Sequence, residues 1–152
     1  MNQYHPIVEI LSKNFGVTEK SIVPIHEQLL AYREDTNGLK EILIKHNVTN
    51  EIIFQKALAK YFELEYRENF DEIQSLKEFT EIIPIRYAKK YNFFPIEKST
   101  NKIKVSVTNP EFSQPLDDLA RHFKCHIETV VSNKQAVIDL INRAYDQSSS
   151  ST

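Results

Sequence analysis

The tightest grouping of side chains with chemical potential is His122-Phe123-Lys124-Cys125-His126. Zinc takes four Cys, His or carboxylate ligands, usually as two spaced pairs. A helix predicted to end near Phe123 separates the two histidines, and no second pair stands nearby. The other three histidines, His5, His26 and His46, are scattered. No metal site is expected. Cys125 as a nucleophile would need a base and a group to orient that base. A strand predicted from Cys125 to Val131 sends His126 to the opposite side. Asp117-Asp118 is the one adjacent acidic pair of the predicted helices with a catalytic look, but neighbouring helical positions diverge by about 100° and do not converge on a cleft. An Asp near a helix start has a simpler role against the dipole. No catalytic, cofactor-binding or metal-binding residue is therefore expected. Arg86, Lys89 and Lys90 form a basic stripe beside Tyr87 and Tyr91. Arg86 and Lys90 are four apart and share a face, where a phosphate or an acidic partner would dock. A solvated helix face has the same pattern. These three cations are the partner-binding candidates.

Two glycines, Gly16 and Gly38, exclude much enzyme chemistry. A phosphate-binding P-loop needs two glycines five apart with Lys after the second, and a dinucleotide fingerprint needs three. The kinase glycine-rich loop is excluded in the same way. The 19 basic and 21 acidic side chains leave a net charge of −2. A nucleic-acid partner is not expected, because counterion release favours a basic excess. The single cysteine fits a reducing, cytoplasmic setting. No apolar run approaches the roughly 18 residues of a membrane span, and the start, Met-Asn-Gln-Tyr-His, has no secretory pattern.

Two regions position these residues. Residues 1–62 read as a helical subdomain, with apolar residues at helical spacing: Ile7, Ile10, Leu11; Ile22, Ile25, Leu29, Tyr32; Leu39, Ile42, Leu43; Ile53, Ala57, Leu58, Tyr61. Gly16 suits a helix C-cap, Pro24 a first helical turn, and Asn37-Gly38 a turn between the second and third helices. Ile10 to Thr18 resembles Ile42 to Thr49, at an offset of 32 slipping to 31, with Val-Thr just after each turn. Two helix pairs burying their faces against each other would produce this repeat.

Residues 63–83 read as a connector, acidic from Glu63 to Glu72, with a helical turn within Ser75–Ile83. Residues 84–146 read as a small α/β subdomain. A helix runs from Pro84 to Tyr91. Asn92 to Glu97 is a strand that Pro95 assigns to a sheet edge, and Lys98 to Asn101 is a turn. Lys102 to Thr108 alternates, with Ile103, Val105 and Val107 inward and Lys102, Lys104 and Ser106 outward. A helix follows from Pro115 to Phe123, then the strand at Cys125–Val131 and a helix at Asn133–Tyr145. The order α-β-β-α-β-α predicts a sheet with helices on one face, and an α+β protein overall. Residues 147–152, rich in serine, read as a flexible linker or tail.

Taken in succession, these segments resemble a bacterial family. Leu39-Lys40-Glu41-Ile42-Leu43, Val48-Thr49-Asn50-Glu51 and Ala57-Leu58-Ala59 are similar to its "LGEIL…VTEE…ALA" helix pair. Ile82 to Tyr91 followed by Phe94-Pro95-Ile96 resembles its "lP…lA.ry…lPl" stretch. Lys104 to Pro110 resembles its strand ending in "DP", Leu116-Asp117-Asp118-Leu119 its "alddl", and Ile138 to Tyr145 its closing helix. The chain looks like the N-terminal domain of type II secretion and type IV pilus assembly ATPases. The resemblance implies a non-catalytic adaptor that docks the ATPase to a membrane-anchored platform protein on the cytoplasmic side of the inner membrane. It implies contact with the ATPase domain of the same family as a further partner, and places the serine-rich tail where the linker to that catalytic domain begins. Some members bind cyclic di-GMP through two repeats resembling "RLGxxL…G…L…Q". Here Gly38-Leu39-Lys40 replaces Arg-Leu-Gly, Tyr61 stands about where the second Gln would be, and Gln28 lies near the first. The lost Arg and Gly remove a guanidinium partner and a close backbone approach. Cyclic di-GMP sensing is the alternative function, and no cofactor is expected.

Overall fold

Short amphipathic helices build the first half of the chain in the computed structural model, which describes residues 3–71 and 77–150, the last four by backbone alone. The chain divides into two compact units, Met1–Glu63 and Leu64–Thr152. The first contains α1 (Pro6–Phe15), α2 (Glu19–Ile22), a 3-10 turn (Val23–Ile25), α3 (His26–Ala31), α4 (Thr36–Lys45) and α5 (Glu51–Tyr61). Helix α1 packs against α5. Ile7, Val8 and Leu11 of α1, Leu39 and Leu43 of α4, and Phe54, Ala57 and Leu58 of α5 are buried. Each of these side chains larger than Ala57 contributes about 1.5–3 kcal/mol on leaving water. Tyr61, expected on the same apolar face, is 38% exposed. Its ring rests edge-on against His5 at 5.0 Å.

The repeat is real in the backbone. Each copy ends its first helix with a left-handed residue, Gly16 (φ 74°) or Asn47 (φ 58°), directly before Val-Thr. The slip in offset has a local cause. In the second copy the amides of Asn47 and Val48 donate to the carbonyls of Ile44 (3.0 Å) and Leu43 (2.9 Å), the usual left-handed helix closure. The first copy has one more residue, and the amides of Gly16 and Val17 both reach back to the Leu11 carbonyl. The wider loop absorbs the insertion and leaves the same leucine carbonyl capped.

One local expectation is corrected and one is refined. Asn37-Gly38 is not a turn: Asp35 caps α4 by accepting from the Gly38 amide at 3.0 Å, so both residues are helical. A side-chain cap outweighs a weak turn dipeptide. Pro24 does stand in a first helical turn, but of a short 3-10 helix rather than of an α-helix. It lacks the amide for a bond four residues back, and the chain tightens into the 3-10 turn between α2 and α3.

The second unit contains β1 (Glu65–Tyr66), α6 (Lys77–Thr80), α7 (Ile85–Tyr91), β2 (Phe93–Lys98), β3 (Lys102–Val107), α8 (Ser113–Phe123), β4 (His126–Val131) and α9 (Lys134–Ser150). The sheet order is β1-β4-β3-β2, with β2–β3 antiparallel and the other pairs parallel. The predicted succession from α7 to α9 is observed, and Pro95 lies on an edge strand. The connector supplies a strand, β1, too short for periodicity to signal. The helix within Ser75–Ile83 is α6; residues 75 and 76 lie outside the described residues. Ser106 is not outward. It is buried and shares a 2.7 Å hydrogen bond with Ser132. The serine stretch expected to be a flexible linker continues α9 to Ser150. Once α9 is anchored by Val137, Leu140, Ile141 and Ala144, each added serine costs only about 0.5 kcal/mol relative to alanine.

Candidate docking surface

Helix α7 begins after Pro84, whose extended backbone (φ −62°, ψ 140°) forms the N-cap, and stops at Asn92 in the left-handed conformation (φ 49°). Seven residues are too few for a self-sustaining helix. Side chains hold it: Ala88 is fully buried, and the Tyr87 ring meets Phe93 at 5.6 Å and Tyr91 at 5.1 Å, both edge-on. At 3.6 residues per turn, Arg86 and Lys90 form a stripe adjacent to Tyr87 and Tyr91, and Lys89 follows Ile85 on the far side. Arg86, Lys89 and Lys90 are all exposed, so the three predicted cations share one solvent face.

Tyr87 looks into an open apolar groove of about 290 Å³ between the start of α7 and α8. Ile82, Pro84, Tyr87, Phe93, Leu119 and His122 line it, with Asp118 at its margin. Tyr87 Oη donates to the Asp118 carboxylate at 2.6 Å, and Arg121 donates to the other oxygen. The Tyr87 bond, assisted by Arg121, holds the Asp118 pKa below the usual carboxylate range. Burial, reinforced by the Asp118 charge, pushes the Tyr87 phenol well up. On the neighbouring side, Tyr145 Oη donates to the Ile83 carbonyl.

Apolar exposure concentrates here. Among the described residues of this unit the exposed large hydrophobics are Ile82 (39%), Ile85 (37%) and Phe112 (38%). Ile82 lines the groove, Ile85 is on α7, and the Phe112 ring touches Tyr91 at 6.1 Å. Three cations without an ion pair among the described residues stand here as well. Lys98, Lys102, Lys104, Arg121 and Arg143 each face a carboxylate. Arg86, Lys89 and Lys90 have no ion pair among the described residues, as is also the case for Arg67 and Lys124, but only these three cluster on one short helix. Lys90 Nζ sits 5.2 Å from the Tyr91 ring centroid. The groove and its apolar rim were not foreseen from the sequence. The signal was Ile82-Ile83-Pro84-Ile85, which carries more aliphatic residues than one buried face can use.

The other candidates disperse. His122 is exposed at the groove, and His126 opens β4 after the left-handed Lys124 (φ 52°). Cys125 precedes β4 instead of starting it, half-buried, with Sγ 3.2 Å from the Phe123 carbonyl. Asp117 is exposed, while Asp118 is tied to Tyr87. Among the described residues no group of three or more His, Cys, Asp or Glu is placed to hold a metal.

In the first unit the two repeat turns border one shallow depression of about 500 Å³. Gly16, Val17 and Thr18 come from one copy, and Asn47, Val48 and Thr49 from the other. Among the described residues, Thr49 Oγ1 is buried there without a hydrogen-bond partner.

Residues 62–151 match the sequence profile of the MshEN domain. The fold is that of several solved structures. The structure of MshE with cdg aligns at a TM-score of 0.69 and 16% identity, covering 91% of this chain and 98% of that one. The N-terminal domain of XpsE aligns at 0.60 and 17% identity, covering 90% and 92% respectively. In its I4122 crystal form the same domain gives 0.55 and 16%, covering 91% and 93%. No curated protein sequence matches the chain. Among the described residues no helix is long and apolar enough to cross a membrane.

Proposed function

The chain belongs to the MshEN domain family, the N-terminal domain of secretion and pilus-assembly ATPases, and from that premise we propose that it is a docking domain which binds the cytoplasmic part of a membrane-anchored platform protein. The observation that carries this reading is the coincidence on α7 of exposed apolar side chains with unpaired cations. Interface centres are apolar and their rims polar, and a soluble surface has little reason to gather both in one place. ATP hydrolysis belongs to a separate domain, since two glycines cannot build a phosphate-binding loop here. On this reading the protein works at the cytoplasmic face of the inner membrane and is held there by its partner.

The test is titration calorimetry of the whole chain against purified cytoplasmic domains of platform proteins. Binding in the micromolar range with crosslinks at Lys89 and Lys90 is expected. Silence against every platform domain refutes docking.

A second reading is cyclic di-GMP sensing by the first unit. It is supported by the depression between the repeat turns, its partnerless Thr49 hydroxyl, and a fold shared with MshE, whose structure includes cdg. Gly38-Leu39-Lys40 and Tyr61 weigh against it, since the first lacks the guanidinium of the family pattern and the second stands about where its Gln would be. A rise in melting temperature with cyclic di-GMP, abolished by Thr49→Val, would favour sensing. An unchanged melting temperature would remove it.

A further inference from the structure

We infer that the groove between α7 and α8 takes an amphipathic helical segment of acidic character, with an apolar side chain seated on Tyr87 and Leu119 and carboxylates over Arg86 and Lys90. The inference rests on the docking reading and names the chemistry of the partner.

Three features specify the occupant. At about 290 Å³ the groove lies at the bottom of the range of small-molecule sites. It is open along one side and walled by aromatic and aliphatic carbon, which suits one or two apolar side chains projecting from a chain that passes over it. Ile82 extends that apolar floor outward. The sign of the charge follows from the helix face next to the groove, outside its lining. Arg86 and Lys90 stand one helical turn apart beside the tyrosine stripe, and neither has an ion pair among the described residues. The one carboxylate at the groove, Asp118, is already bound by Tyr87 and Arg121. An incoming acidic residue therefore meets unspent cations and an internally compensated carboxylate. The helical form follows from spacing. Carboxylates four residues apart on a helix face match the separation of Arg86 and Lys90, and an apolar residue on the adjoining stripe then falls over Tyr87.

The probe is a short helical peptide with leucines one turn apart and glutamates on the adjoining stripe, and its counterpart with glutamine at every glutamate. Binding to the full chain is followed by amide chemical shifts and fluorescence anisotropy. The acidic peptide should move the resonances of Ile82, Tyr87, Lys90 and Leu119. It should bind at least about tenfold tighter than the glutamine peptide, with the advantage shrinking as salt rises. Arg86→Glu with Lys90→Glu should abolish the difference, while Lys102→Glu, on β3, which contributes no residue to the groove, should keep it. Equal affinity for both peptides, or shifts confined to another surface, overturns the inference. Competition with a platform domain separates the two levels. If the platform domain binds and the acidic peptide does not displace it, docking stands and the groove assignment falls. If the peptide binds at the groove and no platform domain binds anywhere, the groove chemistry stands and the docking reading falls.

Discussion

Gly38 offers a measurement in which two opposing effects can be separated. Alanine at a helical glycine normally stabilises by about 1 kcal/mol, through helix propensity and a less flexible unfolded chain. The Gly38 backbone is ordinary helix, so conformation does not forbid the change. Space does. A Cβ there would lie 2.3 Å from Tyr32 Cδ1 and 2.7 Å from Asp35 Oδ2. The Tyr32 ring is half-buried and can swing away, but it then gives up its packing on α4. Asp35 can rotate only by loosening the cap to the Gly38 amide. Overpacking of this kind costs about 1–3 kcal/mol, so Gly38→Ala should be destabilising by about 1 kcal/mol net. In a Tyr32→Ala background the ring is gone, and the same change should stabilise by about 0.5 kcal/mol or more. The cycle then reports a coupling of about 1.5–2 kcal/mol. Urea unfolding followed by circular dichroism measures all four proteins. At a slope of about 2 kcal/mol/M, the single variant's midpoint should fall by about 0.5 M. If Gly38→Ala stabilises equally with and without Tyr32, the glycine is not reserved for close approach, and the argument is wrong.

Further expectations can be checked in the same assay. Leu39 is fully buried, so Leu39→Ala should cost about 2–5 kcal/mol; Ile42 is half-buried and its truncation should cost clearly less. Asn50 accepts from the Ile53 amide at 2.9 Å whereas Thr18 makes no side-chain cap bond among the described residues, so Asn50→Ala should lose about 1 kcal/mol and Thr18→Ala under about 0.5. Burial pushes the Tyr145 phenol up to about 12, so its contribution is complete below the unfolded value near 10 and is lost as pH rises towards 12; Tyr145→Phe should flatten that alkaline decline. Asp118 has the opposite sign: its pKa is lowered by Tyr87 and Arg121, so its contribution is present above the unfolded value of about 4 and fades as pH falls below it, and Asp118→Asn should remove that acid slope. Neutralising Arg86, Lys89 and Lys90 to glutamine should change stability by no more than about 0.5 kcal/mol while removing the acidic-peptide preference.

Much of the fold was legible because it rests on periodicity. The alternation from Lys102 to Val107 puts Ile103, Val105 and Val107 inside, and the helical spacing of α1, α4 and α5 does so for Ile7, Leu11, Leu39, Leu43, Ala57 and Leu58, without tertiary information. That spacing misses the buried Phe54 and wrongly counts Tyr61. The misreadings share a cause, which is a partner distant in sequence or a cap stronger than a local signal. Ser106 is buried because Ser132, 26 residues away, supplies its hydrogen bond. Asn37-Gly38 is helical because the Asp35 carboxylate reaches the Gly38 amide. Glu65–Tyr66 is a strand only because β4 offers a free edge. The candidate site was half legible. Spacing alone puts Arg86 and Lys90 on one face, but the groove exists through Tyr87, Asp118 and Leu119, joined across some 30 residues.

That division explains how α7 can serve binding without burdening the fold. Its structural duties fall on Pro84, Ala88, Tyr87 and Asn92, which start it, bury it, brace it and stop it. Its cations carry little of that load, with only Lys90 touching a neighbour among the described residues, the Tyr91 ring. Arg86 and Lys90 repel each other by about 0.2–0.5 kcal/mol at their spacing. Lys89 and Lys90 recover a similar amount from the helix C-terminus. The two effects nearly cancel, so folding is close to indifferent to the charge on this face. A partner's carboxylates would not be. They would relieve the repulsion and keep the dipole contribution, while an apolar side chain covered carbon that the fold leaves wet at Ile82 and Ile85. On the proposed docking reading, the relief of repulsion and the covering of Ile82 and Ile85 are gains that arise only in the complex.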